Sequence, residues 1–145
     1  MENDIDVIIE QTSNLACLPK YAGLFDAGAD VYAMEDAYIY PGKVCIIPLG
    51  FKMELPPGWE MQVRSRSGLA IKESVIVWNS PGTIDSSFRH ECGVILYNGG
   101  DKTYKVKAGD RIAQFVLKKA PRANFIQGVV DNTNCRGGGF GSSGK

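Results

Sequence analysis

Asp85 is the strongest candidate for a general base in this sequence. It follows the apolar Ile84 within a polar stretch, residues 79–91, that separates two apolar runs. A carboxylate on a rigid hairpin can orient and deprotonate a water molecule. The same stretch is equally typical of a polar hairpin loop whose aspartate is solvated. On these residues alone, both interpretations stay open.

Residues 64–70, RSRSGLA, bring together groups that bind phosphate. Alternation along a strand places Arg64 and Arg66 on one face. At Ser67 and Gly68 the strand pattern gives way to a helical turn, whose free N–H groups can bind an anion. The Ser67 hydroxyl and the Arg66 guanidinium can bind the same anion. The alternative is an N-capped turn beside a solvated arginine.

Two further polar residues interrupt the apolar pattern. Asp30 lies in a stretch of small residues, 26–33, where the backbone can approach another group closely; it could face a metal or its waters, or belong to a tight turn. Gln114 lies in an otherwise apolar run, and its amide needs a partner if it is buried. That partner is more often backbone than ligand.

The glycine-rich tail, residues 131–145, offers one charge and one flat ring. Its last seven residues, GFGSSGK, nearly match a phosphate-binding P-loop, but that motif needs a following helix and a final Ser/Thr that we do not expect here. Arg136 can meet an anion, and Phe140 offers a stacking face for a base. The composition predicts either plain disorder or a segment that orders on a ligand.

The composition limits the classes of protein to which the chain can belong. It has 145 residues with 16 acidic and 16 basic side chains, so we expect one domain without a global field toward nucleic acid or a membrane surface. The start, MENDIDVII, does not resemble a signal peptide, and we expect a cytoplasmic protein. The four scattered cysteines predict free thiols rather than a zinc site or disulfides.

Short β-branched runs broken by Gly, Pro, Asn and Asp predict an all-β sandwich or barrel. The helical period is weak throughout, and one or two helical turns are predicted after Ser67, at residues 68–73. The runs at 44–49 and 50–55 could also form one bent strand. Strands are predicted at residues 5–9, 44–49, 50–55, 60–63, 75–78, 93–97, 103–106, 111–117 and 124–130.

In order and spacing, these clusters resemble the motifs of the trimeric dUTPase family. The resemblance runs from about residue 8 to residue 144, and its most specific parts are RSGLA at 66–70, SPGTID at 80–85, GDRIAQ at 109–114 and GGFGSSG at 138–144. It implies a jelly-roll-like β-sandwich at residues 1–130, a flexible lid at 131–145, and a homotrimer whose active sites each draw on all three chains.

The resemblance also implies a reaction and a role for each candidate residue. The reaction is hydrolysis of dUTP to dUMP and pyrophosphate, with Mg²⁺ on the triphosphate, which keeps uracil out of DNA and supplies dUMP. Asp85 would activate the attacking water, and Asp30 would orient the water shell of the metal. The substrate-binding residues would be Arg66, Ser67, Gly68 and Gln114 on the phosphates, Asn79, Gly82 and Ile84 on uracil, Phe88 on the deoxyribose, Arg136 on the terminal phosphate, and Phe140 over the base.

The chain departs from the family pattern at four places. Phe88 stands where the family usually has Tyr, which puts sugar discrimination in question. His90 replaces a usual Gly, a costlier choice if the turn needs positive φ. Ser65 replaces a common Pro and should loosen its strand. The spacing from Arg136 to Phe140 is one residue shorter than usual.

Two alternatives remain beside dUTP hydrolysis. A dCTP deaminase-like enzyme is related, but its chemistry needs a glutamate against the base where this chain has Asp85. A nucleotide-sensing regulatory protein could keep the pocket as a ligand sensor.

Overall fold

The computed structural model describes residues 4–144, which form eleven strands and one short helix. Residues 1–3 of the predicted domain and Lys145 of the P-loop-like sequence lie outside the described residues. The elements are β1 (Ile8–Gln11), β2 (Ala29–Tyr32), β3 (Ala37–Ile39), β4 (Val44–Pro48), β5 (Phe51–Glu54), β6 (Trp59–Arg64), α1 (Ser67–Glu73), β7 (Val75–Val77), β8 (Gly82–Asp85), β9 (Gly93–Asn98), β10 (Tyr104–Val106) and β11 (Arg111–Lys119).

The strands form four antiparallel sheets around one hydrophobic core. The largest has the order β2-β11-β6-β8, the second β4-β9-β7, and two pairs, β1-β5 and β10-β3, complete the arrangement. Burial alternates along β9, where Val94 and Leu96 are fully buried and Ile95 and Tyr97 are half-buried, as expected for a strand with one face on the core. The all-β, jelly-roll-like sandwich predicted from the sequence is confirmed.

Gly50 separates β4 from β5. Its φ is +79°, and a Cβ added there would lie 2.7 Å from the Met34 Sδ and 2.9 Å from the Ala16 Cβ, so only glycine fits without displacement. The two strands on either side pair with different partners, β9 and β1. The bend therefore divides two strands rather than curving a single one.

Three short strands, β2, β3 and β8, were not predicted. Each has only three or four residues, and β8 begins at a glycine that follows Pro81. β2 pairs with the longer strand β11 and β8 with the longer strand β6, whereas β3 pairs with β10, which has three residues like β3 itself. Local sequence carries little of that information.

The strand predicted at residues 124–130 is wrong: the segment has no regular secondary structure in this subunit. Its apolar side chains are exposed, with Phe125 at 95%, Ile126 at 81%, Val129 at 102% and Val130 at 78% of full accessibility. The run has the composition of a strand, but a strand needs a hydrogen-bonding neighbour. No such neighbour is found for it within the described subunit.

Helix α1 forms where the helical turn was predicted. Ser65, just before it, accepts a 2.8 Å hydrogen bond on Oγ from the Val77 N–H, which ties the entry of the helix to β7. The helix ends at Ser74, which is left-handed at φ 56°. Ser65 therefore anchors this region instead of loosening it. Across residues 4–144, no helix has the length and apolar character needed to cross a membrane.

Candidate functional site

Three neighbouring strands bring the predicted phosphate-binding residues together. Gln114 of β11 lies opposite Asp30 of β2 on one side and Arg64 of β6 on the other. Arg66 follows two residues after Arg64, at the junction with α1. Strand pairing thus places Asp30, Arg66 and Gln114 in one cluster, although up to 84 residues separate them in sequence.

Asp30 is the centre of this cluster and is only 6% exposed. The Gln114 Nε2 donates to its Oδ1 at 3.4 Å, and the Arg66 Nε lies 3.4 Å from the same oxygen. The Arg111 Nη1 lies 3.8 Å from Oδ2. A buried carboxylate between two guanidinium groups is the expected arrangement for a charge that has lost water.

Arg111 was not among the predicted site residues. It begins β11 and occurs in GDRIAQ, three residues before Gln114, so the motif itself contained the signal. Its backbone carbonyl accepts a 3.3 Å hydrogen bond from the Arg66 Nη1. The Arg66 Nε is buried without a hydrogen bond, because its approach to Asp30 has the distance of an ion pair but not the geometry of a hydrogen bond. Arg66 is therefore held in place with donors still free.

Gly28 explains the small residues before Asp30. A Cβ added at Gly28 would lie 3.2 Å from the Gln114 Oε1 and 3.3 Å from its Cβ. The close approach predicted for this stretch is thus to the Gln114 side chain. A larger residue would push the amide away from Asp30.

The first turn of α1 borders the cluster. Arg66 is the N-cap and makes no side-chain capping bond, and Ser67 and Gly68 are the first helical residues. Backbone N–H groups at such an end lack helical partners. A Cβ added at Gly68 would meet nothing within 4 Å, so the space beside these N–H groups is open. This end can accept an anion.

The cluster does not form a protein cage for a metal. Among residues 4–144 there is no group of three or more His, Cys, Asp and Glu side chains that could hold one. Mg²⁺, however, usually keeps several waters and binds through one or two carboxylates plus substrate phosphates. The single carboxylate of Asp30 fits a role of that kind, through water, and no other.

A small apolar cavity of about 160 Å³ lies beside the β6–β8 pair. A Cβ added at Gly82 would lie 3.1 Å from the Val63 Cβ and 3.2 Å from the Asn79 Nδ2, so the cavity depends on that glycine. Its volume suits one part of a ligand, such as a base, rather than a whole drug-sized molecule. The lining residues are Val63, Asn79, Gly82, Thr83, Ile84, Phe88, Gly93 and Ile95.

Asp85 ends β8 at the rim of this cavity, with its side chain exposed. Its carbonyl accepts a 3.0 Å hydrogen bond from the Phe88 N–H, so the chain turns at once and returns the Phe88 ring to the cavity wall. Four of the candidate residues, Asn79, Gly82, Ile84 and Phe88, line this one cavity, and Asp85 directly follows Ile84.

Within one subunit, Asp85 and the Asp30 cluster are separate. Asp85 lies opposite Glu60 at one end of β6, whereas Gln114 lies opposite Arg64 at the other end. Four residues of strand correspond to about 13 Å, and the two intervening strand spacings add about 10 Å across the sheet. Asp85 is thus well beyond the reach of the Arg66 and Gln114 side chains of the same chain.

The two tail residues lie apart from both groups. Arg136 and Phe140 are exposed, and the Phe140 ring makes no contact that reduces its accessibility, which is 115%. Phe140 itself has a positive φ of 49°, between Gly138 at 79° and Gly141 at 82°. The structure does not bring these residues to the site of their own subunit.

Sequence comparison places known relatives along almost the whole chain. The family model described as dUTPase matches residues 15–144. A deoxyuridine 5'-triphosphate nucleotidohydrolase of Solibacter usitatus is 42% identical over 143 residues, covering 97% of each chain. The protein of the same name from Clostridium tetani is 47% identical over 131 residues, covering 90% of each chain.

Solved structures share the fold at lower identity. A substituted form of the dUTPase of phage 80alpha superposes with a TM-score of 0.87 at 22% identity, over 99% of this chain and 100% of that one. A substituted dUTPase of S. aureus phage phi11, described as coordinating a structural Mg(II) ion, gives a TM-score of 0.81 at 19% identity over 88% of this chain and 99% of that one. These likenesses support the fold alone.

Proposed function

The chain belongs to the dUTPase family and hydrolyses dUTP as a dUTP diphosphatase, and we propose that it does so at sites shared between the subunits of a homotrimer. The products are dUMP and pyrophosphate, so the enzyme removes the precursor of uracil in DNA and supplies dUMP. No observation favours dCTP deamination or nucleotide sensing. The four free cysteines suit the reducing cytoplasm, where we expect the enzyme to act.

The separation of Asp85 from the Asp30 cluster carries this proposal. A general base must lie within hydrogen-bond reach of the water that it activates, and that water must lie next to the phosphorus that it attacks, so the groups that hold the phosphates must be close by. One subunit supplies both sets of residues but at opposite ends of β6. A second copy that presents its Asp85 to the Arg66 and Gln114 of the first completes the site.

Exposed apolar surface supports the assembly. The segment at residues 124–130 has no partner among the described residues of its own subunit, and β-branched and aromatic side chains of this kind are usually covered. A second apolar surface lies on the β4-β9-β7 sheet, where Val44 and Ile46 are exposed and Trp78, 56% exposed, has its ring centroid 4.4 Å from that of Tyr97. We assign both surfaces to contacts with neighbouring copies.

Asp85 is the proposed general base. Its carboxylate accepts a proton from a water molecule while the water oxygen forms a bond to the α-phosphorus. The bond from that phosphorus to the oxygen bridging to the β-phosphate breaks, and pyrophosphate leaves with the bonding electrons. Because Asp85 is exposed in the isolated subunit, it is accessible to substrate held by another chain.

The Asp30 cluster holds the phosphates. Arg66 and Gln114 present N–H donors, and the first turn of α1 adds backbone N–H groups at Ser67 and Gly68. Bound Mg²⁺ would neutralise charge on the triphosphate, and Asp30 would meet its water shell. The ion pairs to Asp30 keep the donors in one orientation before substrate arrives.

The cavity beside β8 accepts uracil, with Asn79, Gly82 and Ile84 along its wall and Phe88 against the deoxyribose. We assign Arg136 to the terminal phosphate and Phe140 to stacking over the base, on the site of a neighbouring subunit. Their exposure in the single subunit leaves them free for that contact. Glycines at positive φ let the tail curve over a ligand.

A subunit-mixing experiment tests the proposal. Asp85→Asn and Arg66→Ala chains, each nearly inactive alone, are refolded together at equal concentration, and pyrophosphate release from dUTP is measured. Shared sites recover about one quarter of wild-type activity, because each site takes its Arg66 and its Asp85 from independently chosen chains. A mixture that stays as inactive as its parents rules out shared sites.

A further inference from the structure

His90 is the only histidine in the chain and contacts the ring proposed to face the sugar. The His90 and Phe88 ring centroids are 5.6 Å apart, with an interplanar angle of 75°, which is an edge-to-face arrangement. Such pairs are favourable beyond the area they bury. His90 does not have a positive φ, so a glycine is not required at this position.

The loop that carries both rings is fixed at its two ends. Asp85 begins it with the 3.0 Å bond from the Phe88 N–H, and Cys92 ends it with backbone bonds to Phe51 at 2.8 Å and Leu49 at 3.1 Å. Between these ends, the Arg89 Nε donates to the Ser86 carbonyl at 2.9 Å. The backbone beneath Phe88 is therefore well defined.

The Phe88 ring itself has fewer restraints. It is 38% exposed, and lacking a hydroxyl it cannot be oriented by a hydrogen bond of its own. The cavity contacts one side of the ring, and His90 contacts it in edge-to-face geometry. Without the imidazole, the ring would be freer to rotate away from the cavity.

We propose that His90 is a positioning residue that holds the Phe88 ring against the sugar and so contributes to the choice of deoxyribose over ribose. This inference rests on the proposed function, in which the cavity binds the base and Phe88 contacts the sugar. A ring held in one orientation leaves no room for a 2′-hydroxyl. A ring that can turn aside admits one.

Steady-state kinetics with dUTP and UTP test this proposal. In His90→Ala, the ratio of kcat/KM for dUTP to that for UTP should fall about threefold to tenfold, the range expected for loss of one aromatic pair. His90→Phe, which keeps an aromatic ring at this position, should have the wild-type ratio. Glu91→Ala is the control at the adjacent position. Because His90 is exposed, Tm should not change.

A double-mutant cycle separates positioning from a general effect. In a Phe88→Ala background, His90→Ala should change the ratio no further, since its only route is through the ring. An unchanged ratio in His90→Ala, or an equal loss with both substrates, overturns the proposal. Wild-type enzyme that releases no pyrophosphate from dUTP would instead refute the function itself.

Discussion

Among single residues, Asp30 shows how a site residue can act through its neighbours. The sequence suggested a carboxylate facing a metal, and the structure surrounds it with Arg66, Arg111 and Gln114. Its negative charge lets two guanidinium groups lie close together without strong mutual repulsion. Beside its proposed contact with the water shell of a metal, Asp30 holds the side chains of Arg66, Arg111 and Gln114 close together.

Asp85→Asn should leave dUTP binding nearly intact and reduce kcat by several orders of magnitude. The amide occupies the same volume at the end of β8 but does not accept the proton from water. Binding is measured by calorimetry with a non-hydrolysable dUTP analogue, and turnover by pyrophosphate release. Asp101→Asn, at an exposed carboxylate of the β9–β10 connection, is the matched control.

Substantial residual turnover in Asp85→Asn would contradict the assignment of this residue as the base. Equal loss of binding and turnover would indicate that Asp85 holds the substrate rather than activating water.

At the scale of elements, β6 connects the two halves of the site. It pairs with β11 on one side, which brings Gln114, and with β8 on the other, which brings Asp85. Because its chain continues directly into Arg66 and α1, one strand sets the positions of the proposed base, the proposed phosphate donors and the helix end. The length of β6 also sets the distance between Asp85 and Gln114.

The exposed segment at 124–130 provides a test of assembly. Phe125→Glu places a charge where an apolar contact with a neighbouring copy is proposed, so the proposed trimer should dissociate at micromolar concentration and activity should fall with it. Analytical ultracentrifugation gives the mass. Phe125→Leu, which keeps an apolar side chain, should stay assembled and active.

If Phe125→Glu sedimented as a trimer with wild-type activity, the segment would not lie in an interface. Dissociation without loss of activity would instead show that one subunit forms a complete site.

For the whole molecule, the buried thiol of Cys92 predicts how stability changes at alkaline pH. Burial raises the pKa of Cys92 from its ordinary 9.0 to about 11. A hydrogen bond with the Met53 backbone lowers this pKa, and the negative charge of Glu91 raises it. The thiol therefore ionises in the unfolded chain before it ionises in the folded one. The contribution of the neutral Cys92 thiol to the stability of the fold is complete below pH 9 and is lost as the pH rises through about 11.

Chemical denaturation between pH 8 and pH 11.5, under reducing conditions, measures this effect. Across that range, the free energy of unfolding of the wild-type enzyme should fall by about 2 to 3 kcal/mol more than that of Cys92→Ala. The variant is less stable than the wild type at pH 8, because the substitution leaves a cavity. Parallel curves for the two proteins would show that Cys92 does not ionise with a raised pKa.

Much of the fold could be predicted from the sequence, which also supplied the candidate site residues. Short β-branched runs and turn residues predicted most of the strands, and motif order made Arg66, Asp85, Gln114 and the residues around Gly82 candidates for the site. These signals are local, since they depend on side chains near one another along the chain. The short strands β2, β3 and β8 were missed because pairing with strands distant in the sequence imposes their conformation.

The sequence by itself therefore determined which residues are candidates for the chemistry, and the tertiary structure decided how they are grouped. Strand register brought Asp30, Arg66, Arg111 and Gln114 together and held Asp85 at the far end of β6. It also left the strand-like segment at 124–130 without a partner in its own subunit. Register and partner availability are long-range properties, because hydrogen bonds between strands depend on residues far away in the sequence.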